Sequence, residues 1–164
     1  MTYCLKCGQP MIPVTDGEDQ TQRLGCPDKT CGYVFYDNPI PVVAAIVEKD
    51  GEIILARNAA WPQGMFALVT GFLEKGETPM DGVLREVHEE LGLEPLSAEF
   101  IGYYSFFAMN QLILAYHVMA QGQVTLNHEI AEIKYLKPEK LKPWPFGTGL
   151  AVRDFLEKKV YGTG

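Results

Sequence analysis

Blocks of apolar and polar residues along the chain predict mostly β-strands. Two apolar runs, 42–47 and 53–56, flank Lys49-Asp50-Gly51-Glu52, and this arrangement indicates a β-hairpin. Four further runs are typical of strands, and two stretches show the helical spacing of apolar positions. The remaining strands are predicted at 66–70, 100–107, 112–119 and 132–136, and the helices at 79–91 and 149–159.

The order of these elements predicts a mixed fold. Strands dominate, and the two helices do not form the regular strand–helix–strand repeat of a doubly wound sheet. With 164 residues and 47% hydrophobic composition, the chain can bury one ordinary core and carry a small appendage. We therefore expect one main domain of the α+β class, with helices packed on a mixed sheet.

Composition and charge narrow the set of partners. No apolar run approaches the roughly 20 residues of a membrane-spanning helix, and the N-terminus lacks the pattern of a secretory signal, so we expect a cytoplasmic protein with no membrane partner. The net charge of −7 argues against a general affinity for nucleic acid, which depends largely on Lys and Arg. An acidic surface is also an ordinary means of keeping a protein soluble.

All four cysteines lie in the first 31 residues. The pairs Cys4-x-x-Cys7 and Cys26-x4-Cys31 match a zinc ribbon, in which two short loops turn four thiolates toward one tetrahedral Zn2+ ion. Two disulfides or four separate thiols are the alternatives, and the expected cytoplasmic location disfavours disulfides. Because four thiolates fill a tetrahedral site, we expect this zinc to be structural. The turn-rich segment 37–41 predicts a domain boundary there.

The segment 71–93 carries the candidate chemistry. Thr78 is typical of a helix start and Gly92 of a helix end. Within the predicted helix, Glu86, Glu89 and Glu90 lie on one face, where like charges repel. Hard divalent cations such as Mg2+ and Mn2+ prefer oxygen ligands, so the cluster predicts a metal site. A solvated acidic helix face is the alternative.

The whole segment resembles the Nudix box, Gly-x5-Glu-x7-Arg-Glu-U-x-Glu-Glu-x-Gly-U, in which U is aliphatic. Gly71, Glu77 and the run 85–93 fit every fixed position. The resemblance covers roughly residues 39–160, and with the N-terminal ribbon it is similar to branches such as NADH pyrophosphatases and a plant FAD pyrophosphatase type. It implies a Nudix fold, a mixed β-sheet sandwiched by helices, with a zinc ribbon at 1–38 and the Nudix hydrolase domain at 39–164.

The resemblance implies a metal-dependent enzyme that cleaves the diphosphate bond of nucleoside diphosphate derivatives. The substrate is expected to be a small, ADP-containing molecule such as ADP-ribose, FAD or an NAD(H)-like compound. Two alternatives stay open: a noncatalytic sensor of a nucleotide metabolite, and an RNA-cap-processing Nudix enzyme. Association into a homodimer also stays open.

The resemblance further implies roles for individual residues. The carboxylates of Glu86, Glu89 and Glu90 would bind catalytic Mg2+ or Mn2+, together with the backbone carbonyl of Thr70 or Gly71. Arg85 would steady the acidic cluster together with Glu77, and Glu89 or Glu90 is a candidate general base.

Residues outside the box are also candidates. Glu129 resembles the additional base or metal ligand that Nudix enzymes recruit, and Glu132 is the fallback. Arg57 is a candidate for binding substrate phosphates, with a surface ion pair as the alternative. Pro143-Trp144-Pro145-Phe146 resembles part of a signature of NADH pyrophosphatases, but it lies too far beyond the box, so we interpret it as a rigid turn. Aromatic residues that could stack on a base or belong to the core are Trp61, Phe66, Phe72, Tyr103, Phe106 and Phe107, of which Phe72 is the chosen substrate-binding candidate.

Overall fold

The computed structural model describes residues 2–17 and 20–161, and the chain divides into two units, Met1–Asn38 and Pro39–Gly164. The first unit contains a three-stranded antiparallel sheet in the order β1-β2-β3. Its strands are β1 (Ile12–Asp16), β2 (Thr21–Gly25) and β3 (Val34–Phe35). One cysteine pair precedes β1 and the other lies in the connection between β2 and β3.

The second unit is a six-stranded mixed sheet with two helices. The strand order is β7-β8-β4-β5-β9, and β6 pairs with β4. Strands β4 and β8 are parallel, from the pair Ile40 and Gln111 onward, whereas the other pairs are antiparallel. The elements are β4 (Ile40–Lys49), β5 (Glu52–Asn58), β6 (Val69–Phe72), α1 (Pro79–Leu91), β7 (Glu94–Phe106), β8 (Gln111–Gln121), β9 (Ile130–Leu136) and α2 (Gly149–Tyr161).

Strand β4 is the centre of two hydrophobic cores. Its alternate side chains enter opposite cores, with Val43 in one and Ala44 in the other. A strand covered on both faces needs an uninterrupted apolar sequence, which β4 has over residues 42–47. The first core contains Val83, Val87 and Leu91 of α1, and the second contains Ala151, Val152 and Phe155 of α2. The sheet is therefore sandwiched by helices, and the predicted α+β class is confirmed.

The predicted hairpin and first helix are also confirmed. Asp50 and Gly51 have positive φ angles of 52° and 79° and form the two-residue turn between β4 and β5. Helix α1 has the predicted bounds. The Thr78 hydroxyl accepts a hydrogen bond from the Asp81 N–H, and Gly92 ends the helix in the left-handed conformation with φ 66°.

Every predicted strand differs in its bounds from the observed one, and two differ by three residues or more at one end. The strand predicted at 66–70 is Val69–Phe72, because β6 pairs with β4 only over Val42–Ala45, and Ala67 instead forms an isolated bridge with Ala56. The strand predicted at 100–107 begins at Glu94, because pairing with β8 continues through two bulges, and it ends before a short 3-10 helix at Phe107–Met109. Neither helix in the described ranges is long and apolar enough to span a membrane.

Candidate functional site

The three box glutamates of α1 lie in different environments. Glu90 is 6% exposed. The Glu86 side chain is 13% exposed, whereas that of Glu89 is 53% exposed. Glu86 and Glu90 are four residues apart and therefore share one stripe of the helix. The acidic face is thus graded from a buried carboxylate at Glu90 to a solvated one at Glu89.

The Arg85 guanidinium connects this acidic face to the preceding loop. Its Nε and one terminal nitrogen donate to the two oxygens of Glu77 at 2.9 and 3.0 Å, and its other terminal nitrogen donates to Glu86 at 2.7 Å and Glu89 at 3.0 Å. It also donates to the carbonyl oxygen of Phe72 at 3.2 Å. The planar fork of arginine suits such an arrangement. Hydrogen bonds from Arg85 lower the pKa of Glu77 to about 2.

The carboxylate of Glu90 has no hydrogen bond or ion pair within the described residues. Burial raises its pKa to about 8, and the negative charges of Glu86, Glu129 and Glu89 add to this effect. Burial likewise raises the pKa of Glu86, although Arg85 opposes the change. An unpaired buried carboxylate is costly. A donor set of several carboxylates with too little positive charge beside it fits a hard divalent cation.

Gly71 is in direct contact with one of these carboxylates. A Cβ atom at this position would lie 1.9 Å from the carboxyl carbon and one oxygen of Glu86. Any side chain at residue 71 would therefore displace Glu86, which explains the glycine of the box. The β6 backbone at this glycine and the α1 carboxylates thus form one site.

The carboxylates of Glu86, Glu89 and Glu90 are less closely clustered than the four cysteine sulfurs. Within residues 2–17 and 20–161, only the cysteine set brings three or more candidate ligand side chains close enough together to hold a metal ion. Glu86 and Glu89 share a nitrogen of Arg85, while Glu90 lies deeper. Binding of one cation by all three carboxylates would therefore require side chains to move.

The loop before β9 carries Glu129 to this cluster. The N–H groups of Thr125 and Asn127 donate to the last carbonyls of α1, those of Leu91 and Glu90, at 2.8 and 3.3 Å. The Asn127 side chain then accepts hydrogen bonds from the N–H groups of Glu129 and Ile130. The Glu129 side chain is exposed, and its charge contributes to the raised pKa values of Glu86 and Glu90.

Arg57 and Glu132 form an ion pair. The Nε of Arg57 donates to the carboxylate of Glu132 at 2.7 Å, and a terminal nitrogen donates to the carbonyl of Trp61 at 3.0 Å. This is the ion pair that was the alternative to phosphate binding by Arg57. It also leaves Glu132 less free than Glu129 to take a proton or a metal.

A cleft of about 630 Å³ begins at β6, next to the carboxylates. Thr70 and Gly71 belong both to its lining and to the neighbourhood of the box glutamates. Its volume lies within the range of small-molecule sites, and its lining is mostly apolar and aromatic, as such sites usually are. A smaller cavity of about 40 Å³, lined in part by Asn58, Thr70 and Glu90, is large enough for a water molecule beside Glu90.

The cleft separates the aromatic candidates into two groups. Tyr103 and Phe107 lie outside the lining and are exposed. Those in the lining are Trp61, Phe66, Phe72 and Phe106.

Residues that the sequence reasoning did not assign to a site also line the cleft. Trp144 and Phe146 do so, and Phe146 stacks with Phe106 at a centroid distance of 6.3 Å. Both belong to the Pro143–Phe146 motif, which could have pointed to them. The motif forms irregular backbone before α2, as predicted, and it also contributes side chains to the cleft. Gln111 is in the lining too, and no sequence motif marks it.

The four cysteines of the first unit form a compact set. Their Sγ atoms all lie within 4.8 Å of one another, with 3.6 Å between Cys4 and Cys31 and 3.4 Å between Cys7 and Cys26. These distances are too long for disulfide bonds, and the cysteines are free thiols. A tetrahedral ion with metal–sulfur bonds of about 2.3 Å requires sulfur–sulfur distances of about 3.8 Å. The set therefore fits one tetrahedral metal ion.

Without such an ion, the four thiols would not all be deprotonated at neutral pH, because the pKa values of some of them are raised. Desolvation and the neighbouring cysteines raise the pKa of Cys26 to about 12. Desolvation would also raise the pKa of Cys4, but hydrogen bonds from the backbone of Cys7 and Lys6 lower it to about 7. A bound cation would allow all four groups to act as thiolates.

The sequence is similar to that of proteins of one known family. A family model described as "NUDIX domain" matches residues 37–155. "NAD-capped RNA hydrolase NudC" of Pseudomonas putida is 28% identical over 151 residues, which are 91% of this chain and 52% of that protein. The protein of the same name from Pseudomonas aeruginosa gives the same identity and shares. The chain thus spans about half the length of the curated relatives it matches.

Solved structures agree in fold. A NUDIX hydrolase from Nitrosomonas europaea superposes with a TM-score of 0.83 at 25% identity, covering 99% of this chain and 94% of that one. An ADP-ribose pyrophosphatase from Streptococcus suis gives 0.61 at 18% identity over 74% of this chain and 92% of its own, which is a likeness of fold alone.

Proposed function

The chain belongs to the NUDIX domain family, and we propose that it hydrolyses the diphosphate bond of a nucleoside diphosphate linked to another group. The observation that carries the proposal is the buried, unpaired carboxylate of Glu90, surrounded by further carboxylates at the mouth of a ligand-sized cleft. An acidic helix face with only a structural role would not need to bury this group.

In the proposed reaction, Glu86, Glu89 and Glu90 would hold Mg2+ or Mn2+ together with the backbone carbonyl of Gly71, and Glu129 is a further candidate ligand. The chemistry that such a cation would supply is neutralisation of negative charge on the phosphate oxygens. Arg85 acts as a positioning residue, because its hydrogen bonds go to Glu77 and to two of the ligands.

The proton transfer is assigned to Glu129. A water oxygen attacks one phosphorus, its proton passes to the Glu129 carboxylate, and the bond from that phosphorus to the bridging oxygen breaks. The products are a nucleoside monophosphate and the phosphorylated second half. Two observations support this role: Glu129 is exposed, and its negative charge is close enough to raise the pKa of Glu90. Glu132, the alternative base, is disfavoured because it forms an ion pair with Arg57.

We propose an ADP-containing substrate first, on the basis of the aromatic cleft. The name of the Pseudomonas relatives supports an RNA-linked substrate as a second candidate. The complete set of box glutamates argues against a noncatalytic sensor. For the first unit we propose a structural zinc ion on Cys4, Cys7, Cys26 and Cys31, a set that leaves no open position for water or substrate.

The test is release of AMP from ADP-ribose, FAD, NADH, NAD+, diadenosine polyphosphates and NAD-capped RNA, with Mg2+ or Mn2+. We expect metal-dependent hydrolysis of at least one compound. Glu129→Gln is expected to lower kcat roughly 100-fold at unchanged thermal stability, because a positioned base contributes about that much. Glu139→Gln, which also removes an exposed negative charge, serves as the matched control.

Two results would contradict these assignments. Near-normal kcat of Glu129→Gln would remove Glu129 as the base. The absence of hydrolysis of every compound, together with tight binding of one, would replace the hydrolase by the sensor.

A further inference from the structure

The cleft beside β6 has a lining without charge. None of the described residues that line it is Lys, Arg, Asp or Glu. A phosphate inside it would lose water without gaining a cation. The charged part of a substrate therefore belongs outside, at the α1 carboxylates and their metal, and the cleft suits an uncharged group that extends from the diphosphate. The shared residue Gly71 makes these two regions continuous.

Aromatic side chains from separate elements make this lining suitable for a planar ring. Phe72 is 60% exposed at the end of β6, and Phe106 at the end of β7 stacks with Phe146. Trp144 is held in place by close packing, because a Cβ atom on Gly149 would lie 2.0 Å from its carbonyl oxygen and 2.5 Å from its indole Cγ. Such surfaces bind flat heterocycles by stacking.

Among the described residues of this lining, Gln111 alone has a side-chain carboxamide. Its backbone is fixed, because it is paired with Phe106 of β7 and Ile40 of β4. Its side chain is half-buried, and its amide has no hydrogen-bond partner within the described chain. A carboxamide presents a donor and an acceptor side by side. The hydroxyls of Thr70 and Thr148, which also belong to the lining, each present a single polar atom, whereas this donor–acceptor pair can distinguish one ring edge from another.

We propose that Gln111 is a specificity-determining residue that reads the edge of an adenine ring in this cleft. On the edge that carries N6 and N7, glutamine pairs with the amino donor and the ring acceptor of adenine through two hydrogen bonds. Hypoxanthine presents two acceptors on that edge, an oxygen and N7, and the carboxamide, which presents one donor group beside one acceptor, cannot pair with both. The inference rests on the proposed function, since it assigns the cleft to the nucleoside half of the same substrate.

Binding is measured without catalysis by intrinsic fluorescence, because Trp61 and Trp144 are the two tryptophans of the chain and both line the cleft. Wild-type protein is titrated with adenosine, inosine and inorganic pyrophosphate without added Mg2+. We expect adenosine to change the emission and to bind roughly tenfold or more tightly than inosine. Pyrophosphate is expected to leave the emission unchanged. Equal affinities for adenosine and inosine would overturn the assignment.

Gln111→Leu and Gln111→Met, which remove the carboxamide and keep an apolar side chain of similar size, test the residue itself, with Gln121→Leu at the opposite end of β8 as the matched control. The Gln121 amide bonds to Glu94, away from the lining. In a matched pair of substrates, ADP-ribose and its hypoxanthine analogue, the wild-type preference in kcat/KM is expected to fall about tenfold or more in both Gln111 variants. The loss should be in KM, with kcat nearly unchanged, since the α1 carboxylates are intact. A wild-type preference in either variant would overturn the proposal.

The two proposals fail in different ways. If wild type binds adenosine selectively but hydrolyses nothing, the hydrolase proposal is lost while the role of Gln111 is supported. If wild type hydrolyses ADP-ribose but Gln111 variants keep the ring preference of wild type, only the role of Gln111 is lost. Unfolding temperatures equal to that of Gln121→Leu show that a changed preference does not come from misfolding.

Discussion

Replacing the buried acid Glu90 by glutamine is expected to abolish activity and, without added divalent metal, to make the protein more stable. The amide keeps the size of the side chain but carries no charge. Wild type must either keep a proton on Glu90 or bury a negative charge that has no partner within the described residues. The variant has neither cost, which is the exchange of stability for chemistry expected if Glu90 takes part in the proposed reaction.

The magnitude follows from the pKa of Glu90, which burial and neighbouring carboxylates raise from 4.5 to about 8. Below pH 4.5 both folded and unfolded chains hold the proton, and there is no effect. Between pH 4.5 and 8 the unfolded chain loses the proton while the folded chain keeps it, so stability falls as the pH rises. At about 1.4 kcal/mol per pKa unit, the cost is about 2 kcal/mol at pH 6, and it levels off at 4 to 5 kcal/mol above pH 8.

The assay is thermal or urea unfolding from pH 5 to 9, after desalting into buffer without Mg2+ or chelator, so that an ion on the cysteines is retained. Glu90→Gln is expected to unfold on the order of 10 °C above wild type at pH 8 and at nearly the same temperature at pH 5. Added Mg2+ should stabilise wild type but not the variant. Glu89→Gln, at the exposed end of the acidic face, is the control. Parallel profiles of wild type and Glu90→Gln across this range would refute the reasoning.

Three further substitutions test the surroundings of the site. Gly71→Ala places a methyl group on the Glu86 carboxylate and is expected to lower kcat on the order of 100-fold with the fold intact, measured by AMP release and circular dichroism. Arg85→Lys loses the two-pronged bond to Glu77 and should raise the Mg2+ concentration needed for half-maximal activity at least tenfold; an unchanged requirement would contradict its positioning role. Cys26→Ser is expected to reduce zinc content, measured by atomic emission, from about one ion per chain to near zero; retained zinc would disprove the four-thiolate site.

Local features of the sequence predicted those elements that local forces define. The hairpin at Asp50-Gly51 depends on two residues that tolerate positive φ, and α1 begins and ends with caps that are visible in the sequence. The start of β6 was not predictable in this way, because it depends on where β4 stops pairing with β5 and begins pairing with β6. The position of this change in pairing depends on contacts between segments that are distant in sequence.

The site was predictable only in part for the same reason. The motif located the glutamates and Arg85, but the sequence gives equal weight to Glu89 and Glu90, which differ in burial because of the packing around α1. The cleft is assembled from segments near residues 61–72, 106–111 and 144–148. No short motif predicts that these segments lie side by side. Gln111 in particular has no neighbouring residues in the sequence that would mark it as part of a site.

The parallel pairing of β4 with β8 has a consequence for how the protein acquires its structure. Ile40 lies beside Gln111, 71 positions later (111 − 40). During synthesis, the β4–β5 hairpin and helix α1 can form from neighbouring residues, but the edge of β4 stays open until β8 has left the ribosome. Closing so long a loop is slow compared with forming a hairpin. The cleft needs Gln111 and Ile113 of β8 as well as the segment before α2, so it can be completed only after the locally encoded hairpin has had time to form.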